Sequence, residues 1–273
     1  MNNEVVIRLV FFVGVFGLIV IWEWRSPRRT LTTSKTARWI NNLSITFINP
    51  LVIHLLFPIL AVDMALRAQE GGWGLLNNVD LPLWLKLVIG IVVMDLVIYL
   101  QHAMFHAFPI LWRLHMMHHA DLDYDLTTGL RFHPIEILLS MVIKLSVVSA
   151  LGPPAAAVLT FEIILNGMAI FNHGNIRIPL KLDRILRYLV VTPDMHRVHH
   201  SVIIRETNSN YGFNLPWWDR LFGTYCAQPA KGHDGMTIGL SQFREPKKLT
   251  LPWLLVLPFI GDPGKQPNLG QKS

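Results

Sequence analysis

The feature that most restricts what this chain can fold into is the recurrence of apolar stretches as long as a bilayer is thick. Val5 to Trp22 carries one charge, Arg8, one turn inside its start. At about 1.5 Å per helical residue such a stretch nearly crosses a hydrocarbon core of about 30 Å, and Arg8 can snorkel towards the headgroups. Trp22-Glu23-Trp24-Arg25 follows instead of a small-residue cleavage site, so the segment reads as a retained span and not as a signal peptide. Further apolar stretches run from about 44 to 62 and from 83 to 100. The stretch from 135 to 171 is long enough for two helices, broken at Gly152-Pro153-Pro154 as a hairpin turn. Leu251 to Ile260 is too short to span and contains two prolines, which reads as an interfacial or packing segment. The last dozen residues read as a loose tail.

Composition agrees with a membrane protein: 52% of the 273 residues are hydrophobic and 15% charged, where a soluble domain carries about 25%. One cysteine, Cys226, excludes a disulfide scaffold. The net charge of +6 is best explained by the cytoplasmic side of a membrane, and nucleic acid is set aside as a partner. Arg25, Arg28, Arg29, Lys35 and Arg38 oppose only Glu23 between the first two spans, so the positive-inside rule makes that loop cytoplasmic. Counting spans forward then brings both long polar segments, 101–134 and 172–250, to that same side.

Histidine is the second signal. Ten of the twelve lie between His102 and His200. His102 and His106 form H-x3-H, while His115, His118 and His119 form H-x2-H-H, a spacing that His196, His199 and His200 repeat. At this composition one H-x2-H-H is expected roughly 0.02 times by chance, so two are not noise. Residues i, i+3 and i+4 share a helix face, and each group can therefore aim imidazoles at one point. Eight such residues exceed the needs of one ion and imply two. His54, mid-span, and His233 lie outside these groups and read as structural.

The order H-x3-H, H-x2-H-H, His173 within Phe171-Asn172-His173-Gly174-Asn175, then H-x2-H-H resembles the fatty acid hydroxylase and sterol desaturase superfamily of integral-membrane di-iron enzymes. The resemblance covers roughly residues 84 to 226. It includes Asp123 to Arg131, Thr192-Pro193-Asp194-Met195, Asn210-Tyr211-Gly212 and Trp217 to Thr224, and in wording it is similar to bacterial members and to the alkylglycerol monooxygenase branch. It implies an all-α, integral membrane fold of four to five transmembrane helices with a cytoplasmic helical cap carrying a His-rich dimetal site. Its metal ligands fall on His102, His106, His115, His118, His119, His173, His196, His199 and His200. His133, in Arg131-Phe132-His133-Pro134, matches a stretch of many desaturase-like members and is read as a ligand or a residue behind one. Where some members have two His in the third group, this sequence has His173 alone, with Arg177 four residues on.

The implied activity is hydroxylation or desaturation of a C–H position in a fatty acyl, sterol or ether lipid, using two Fe ions, O2 as co-substrate and a separate ferredoxin-, cytochrome- or reductase-type electron donor. The expected location is a bacterial inner membrane with the site facing the cytoplasm. Asp95, seven residues before His102 on one helix face, is a candidate to accept a hydrogen bond from a ligand imidazole. Asp194 has the same two readings, with an ordinary structural role favoured. Asp121, Asp123, Tyr124 and Asp125 read as a solvated loop, Met116 and Met117 as filler, and Trp217 and Trp218 as interface aromatics. Three regions are expected: 1–82 with the first spans and the basic loop, 83–226 as the catalytic domain, and 227–273 as an interfacial segment and tail. The competing readings are a membrane metal-binding protein or transporter, disfavoured because polar residues gather at one boundary, and a zinc-dependent lipid hydrolase, disfavoured because no His group contains a Glu.

Overall fold

Ser34 accepts a hydrogen bond from the Ala37 amide and so starts a helix that hydropathy alone places later in the chain. The computed structural model describes residues 2–260; the tail lies outside them. Helix α1 is Asn2–Arg25, α2 is Lys35–Leu56 and α3 is Ala61–Gly71, which closes on Gly72 in the left-handed conformation. Helix α4 is Leu83–Ala107, and α5, Pro109–His119, begins directly after it with Pro109 in its first turn. Helices α6, Pro134–Leu151, and α7, Ala155–Asn172, form the hairpin expected at Gly152, whose φ of 62° lets the chain turn without a Cβ clash. Shorter helices follow, among them α8, Leu180–Leu186, and α9, Pro193–His199. The described residues contain no strand, only isolated bridges between Pro27 and Ile176 and between Ser201 and Ile238.

Among the described residues, five segments are long and apolar enough to cross a membrane: Glu4–Arg25, Lys35–Gly71, Leu83–Ala107, Pro134–Leu151 and Ala155–Asn172. The second differs from the expected 44–62. It is 37 residues long and breaks between α2 and α3, where Pro58 interrupts the hydrogen-bond ladder. Its first turns hold Arg38 and Asn42, buried against the loop after α5 rather than against lipid, which is why hydropathy misses them. Met94, Ile98, Val148, Val158, Phe161 and Ala169 form the core where α4, α6 and α7 meet. Val5, Leu9, Phe11 and Val13 of α1 stay exposed, as a lipid-facing surface would. Four of the charges within these helices are paired: Arg8 donates to Glu4 and to Glu162 at 2.7 Å each, and Lys144 donates to Glu162 at 2.5 Å.

The acidic run after α5 is not the solvated loop expected from its composition. Asp121 and Asp125 are fully buried, and the Arg38 guanidinium of α2 donates to both. Burial alone would push Asp121 up, but Arg38 holds it well below the usual carboxylate range. Asp123 accepts from the Thr32 and Thr33 amides, and Glu23 from the Leu126 and Asn175 amides. The segment from α1 to α2 thereby clamps the loop after the last turn of α5 and the chain just past α7. Below that turn, Met116 and Met117 fill an apolar cluster with Ile45, Trp112, Leu254 and Leu257, so the 251–260 segment does pack against the body.

Candidate metal centre

Each His group sits at a helix end, and the ends converge. His102 and His106 lie one turn apart near the close of α4, and α5 returns beside it with His115, His118 and His119. His173 follows the last residue of α7, while His196, His199 and His200 occupy α9 and its C-terminal cap. Nine histidines assemble into two buried groups: His102, His106, His115, His119 and His199 in one, His118, His173, His196 and His200 in the other. Both H-x2-H-H boxes serve both groups. In each box the i and i+4 residues stay together and the i+3 residue crosses to the other group.

The nitrogen atoms meet at metal-binding spacing. His102 Nε2 lies 3.0 Å from His115 Nε2 and from His199 Nε2, and His106 Nε2 lies 3.1 Å from His119 Nε2. His173 Nε2 lies 3.2 Å from Nε2 of His118, His196 and His200. A metal–imidazole bond of about 2.1 Å sets neighbouring donors roughly 3.0 Å apart at right angles and 3.4 Å apart at the tetrahedral angle. Burial, then the neighbouring imidazoles, hold His118, His119, His196, His199 and His200 well below the ordinary histidine range, and burial takes His173 to about 3. All six are neutral at pH 7, with a lone pair to give. The donor set fits two ions of the imidazole-preferring class that includes iron.

The second ring nitrogens are fixed unequally. In the five-His group, Nδ1 of His102 faces the Tyr211 carbonyl at 2.7 Å, Nδ1 of His199 the Ser209 carbonyl at 2.7 Å, and Nδ1 of His115 the Glu136 carboxylate at 2.7 Å. His106 Nδ1 lies 3.4 Å from the Asn208 side-chain oxygen. Asn210 stands between the two accepting carbonyls at φ 52°, and its side chain is tied to Met195 and Cys226, which fixes the 209–211 loop. In the four-His group, His173 Nδ1 faces the Ala169 carbonyl at 2.8 Å, while Nδ1 of His118, of His196 and of His200 has no hydrogen-bond partner. A Cβ on Gly129 would stand 2.3 Å from the Ala169 carbonyl and 2.9 Å from His173 Nδ1, so only glycine allows this approach.

Two residues expected at the site are bonded elsewhere. His133 caps α6: its Nδ1 accepts from the Ile135 amide at 3.2 Å and its Nε2 faces the Leu255 carbonyl at 3.1 Å, outside both groups. Asp95 is buried but does not meet His102; it accepts from Trp218 Nε1 at 2.7 Å and from the Leu215 amide at 3.3 Å, and so holds the loop that follows Tyr211. Trp218 is accordingly tied inward. Asp194 pairs with Arg197 and with Arg28. His54 is exposed on α2, and His233 is buried 3.7 Å from Asp194. Glu136 and Asn208 escape a sequence reading because neither lies in a His box. The Pro134-Ile135-Glu136 helix start was the available signal, since it places an acid one turn beyond His133.

A cavity of about 290 Å³ opens between α2, α4, α6 and α7 and reaches His102 and His115. No member of the four-His group lines it. Phe132, stacked 4.5 Å from the His118 ring, and Phe213 stand between that group and the cavity.

The fatty acid hydroxylase family model matches residues 87–224. The chain is 32% identical over 152 residues to ornithine lipid hydroxylase OlsE of Rhizobium tropici, covering 54% of this chain and 44% of that protein. It is 26% identical over 248 residues to alkylglycerol monooxygenase of Xenopus tropicalis, covering 85% of this chain and 49% of that protein. The human alkylglycerol monooxygenase is 31% identical over 171 residues, covering 61% of this chain and 35% of that protein. The chain thus spans about half the length, or less, of these relatives. No solved structure matches it.

Proposed function

This chain belongs to the fatty acid hydroxylase family, and from that premise we propose that it is a membrane-embedded lipid hydroxylase with two iron ions. The observation that carries the reading is the convergence of nine buried imidazoles into two groups beside a mostly apolar cavity between spans. His102, His106, His115, His119 and His199 would hold one ion and His118, His173, His196 and His200 the other. When bound, the pair would activate O2, putting one oxygen atom into a C–H bond and releasing the other as water, with two electrons and two protons from a separate donor protein. The chain's own residues exclude water from the groups, fix ring orientation through Tyr211, Ser209, Ala169 and Glu136, and admit a lipid laterally between helices. Hydroxylation is favoured over desaturation because the relatives are a hydroxylase and monooxygenases.

We further read 83–226 as the catalytic region, 1–82 as supporting spans and clamp, and 227–273 as a closing segment. The His groups face the cytoplasm of a bacterial inner membrane in this reading, supported by the basic loop between α1 and α2. Lipid mass spectrometry on cells with and without the active protein tests the proposal. A gain of one oxygen, dependent on O2 and on protein holding two irons, is expected. Active protein with zinc or with one ion per chain would overturn the di-iron reading.

A further inference from the structure

Outside the five spans, one surface of the molecule is apolar where a water-facing cap would be polar. Leu180, Leu182 and Ile185 of α8 and, in the turn after it, Tyr188 and Leu189 are exposed. The short helix Trp217–Leu221 adds Trp217, Leu221 and the following Phe222, and these eight side chains are 47% to 70% exposed. The two segments form one surface. Trp217 Nε1 donates to the Tyr188 carbonyl at 2.7 Å, Arg220 donates to the Arg187 carbonyl at 3.1 Å, and the Arg220 guanidinium lies over the Tyr188 ring. Every exposed charge between 177 and 189 and between 217 and 222 is positive: Arg177, Lys181, Arg184 and Arg220. The acids there, Asp183 and Asp219, are buried, the first paired with Arg187 and the second accepting from the Tyr211 and Gly212 amides.

Helix α4 fixes how deep this surface lies. Phe222 stacks on Tyr99 at 5.4 Å, and Trp218 donates to Asp95 at 2.7 Å, so the patch is tied to α4 eight to twelve residues before its last residue, Ala107. At about 1.5 Å per residue, counted from Leu83 at the far edge of a core of about 30 Å, Tyr99 stands about 6 Å and Asp95 about 12 Å below the near edge. Amphipathic helices that lie in a bilayer bury their apolar face by about 5–10 Å. We propose that 177–189 and 217–222 form an in-plane anchor in the leaflet on the His-group side. Its apolar side chains enter the acyl layer while Arg177, Lys181, Arg184 and Arg220 hold the phosphates of anionic lipids. A soluble acidic protein would match the charge but cannot cover side chains below the edge of the core. The anchor is continuous with the loop whose Tyr211 carbonyl faces His102, because the Asn214 carbonyl accepts from the Val191 amide and Leu215 donates to Asp95. The bilayer thereby helps to hold that loop. The inference rests on the chain crossing a membrane and not on its reaction.

The test places a bimane fluorophore on Leu221→Cys, with Cys226→Ser removing the other thiol, in the full iron-loaded chain in phosphatidylcholine nanodiscs. Quenching is measured with acyl-brominated phosphatidylcholine, with acyl-brominated phosphatidylglycerol and with iodide in the water. Both brominated lipids should quench and iodide should not. Phosphatidylglycerol should reach half-quenching at about a fivefold lower mole fraction, the preference that one cation near the surface supplies. Lys181→Gln with Arg184→Gln, both at exposed positions, should draw the two lipid curves together while leaving quenching by phosphatidylcholine in place. Quenching by iodide and by neither lipid would put the patch in water, free for a protein partner, and overturn the proposal. Equal quenching by the two lipids in the chain with its cations intact, or a preference that the double change leaves untouched, would overturn it as well. Absence of any oxygenated product, with the quenching pattern intact, would instead remove the hydroxylase reading and leave the anchor standing.

Discussion

The five-His and four-His groups share a wall of stacked rings, His119 against His200 at 4.6 Å and His115 beside His118 at 5.1 Å, yet they are built differently. The first has its outer nitrogens tied to two loop carbonyls, to Glu136 and to Asn208, and it borders the cavity. The second keeps three outer nitrogens untied and sits behind Phe132 and Phe213. A ligand in the cavity therefore meets His102 and His115 before any part of the four-His group. Two sites that look interchangeable in the repeated boxes are unlike in rigidity and in access.

The strongest way to break this comparison is to remove one ligand from each side. His102→Ala and His118→Ala should each abolish turnover, and each should lower iron from two ions per chain to about one. Metal analysis on both variants decides the matter, because a single change that empties both groups would make them one cooperative unit. Glu136→Gln sharpens the comparison from one side only: activity should drop about 10- to 100-fold through the loosened His115, as such changes behind a ligand typically do. The four-His ion should remain, and its loss along with the other would contradict the asymmetry. Asp95→Asn should have a smaller effect, within about tenfold, since it reaches His102 only through the 211–218 loop and the amide keeps one acceptor. A kcat loss as large as that of His102→Ala would return Asp95 to the ligand's side. Last, His133→Ala should cost about 1 kcal/mol of stability through the lost cap of α6, read by thermal unfolding, with iron content unchanged; a loss of iron would place it back among the ligands.

The histidine boxes were legible because ligand spacing on a helix is a local property, written within five residues. Which residue of a box serves which group was not, since the crossing of His118 and His199 depends on how α5 and α9 meet. His173 stands alone in sequence, and only the resemblance singled it out. The acidic run 121–125 misled for the opposite reason: composition reports an acid, and its partner Arg38 lies more than eighty residues away on another helix. The same long-range pairing moved the start of α2 ahead of its apolar stretch. Spans and hairpin turn were readable from hydropathy and Gly-Pro-Pro; Glu136 was not, because its role is defined by a ring 21 residues earlier.

Arg8 is bonded both to Glu4 on its own helix and to Glu162 on α7. During synthesis α1 is made some 150 residues before Glu162 exists, and a lone guanidinium within a span costs several kcal/mol to insert. Glu4, one turn away, gives Arg8 a companion for that interval. Once α7 arrives, Glu162 offers a second and deeper partner that also holds Lys144. The pairing thus works as a latch in assembly order: it is half closed while the first helix waits in the bilayer and fully closed only when the correct later helix has come alongside.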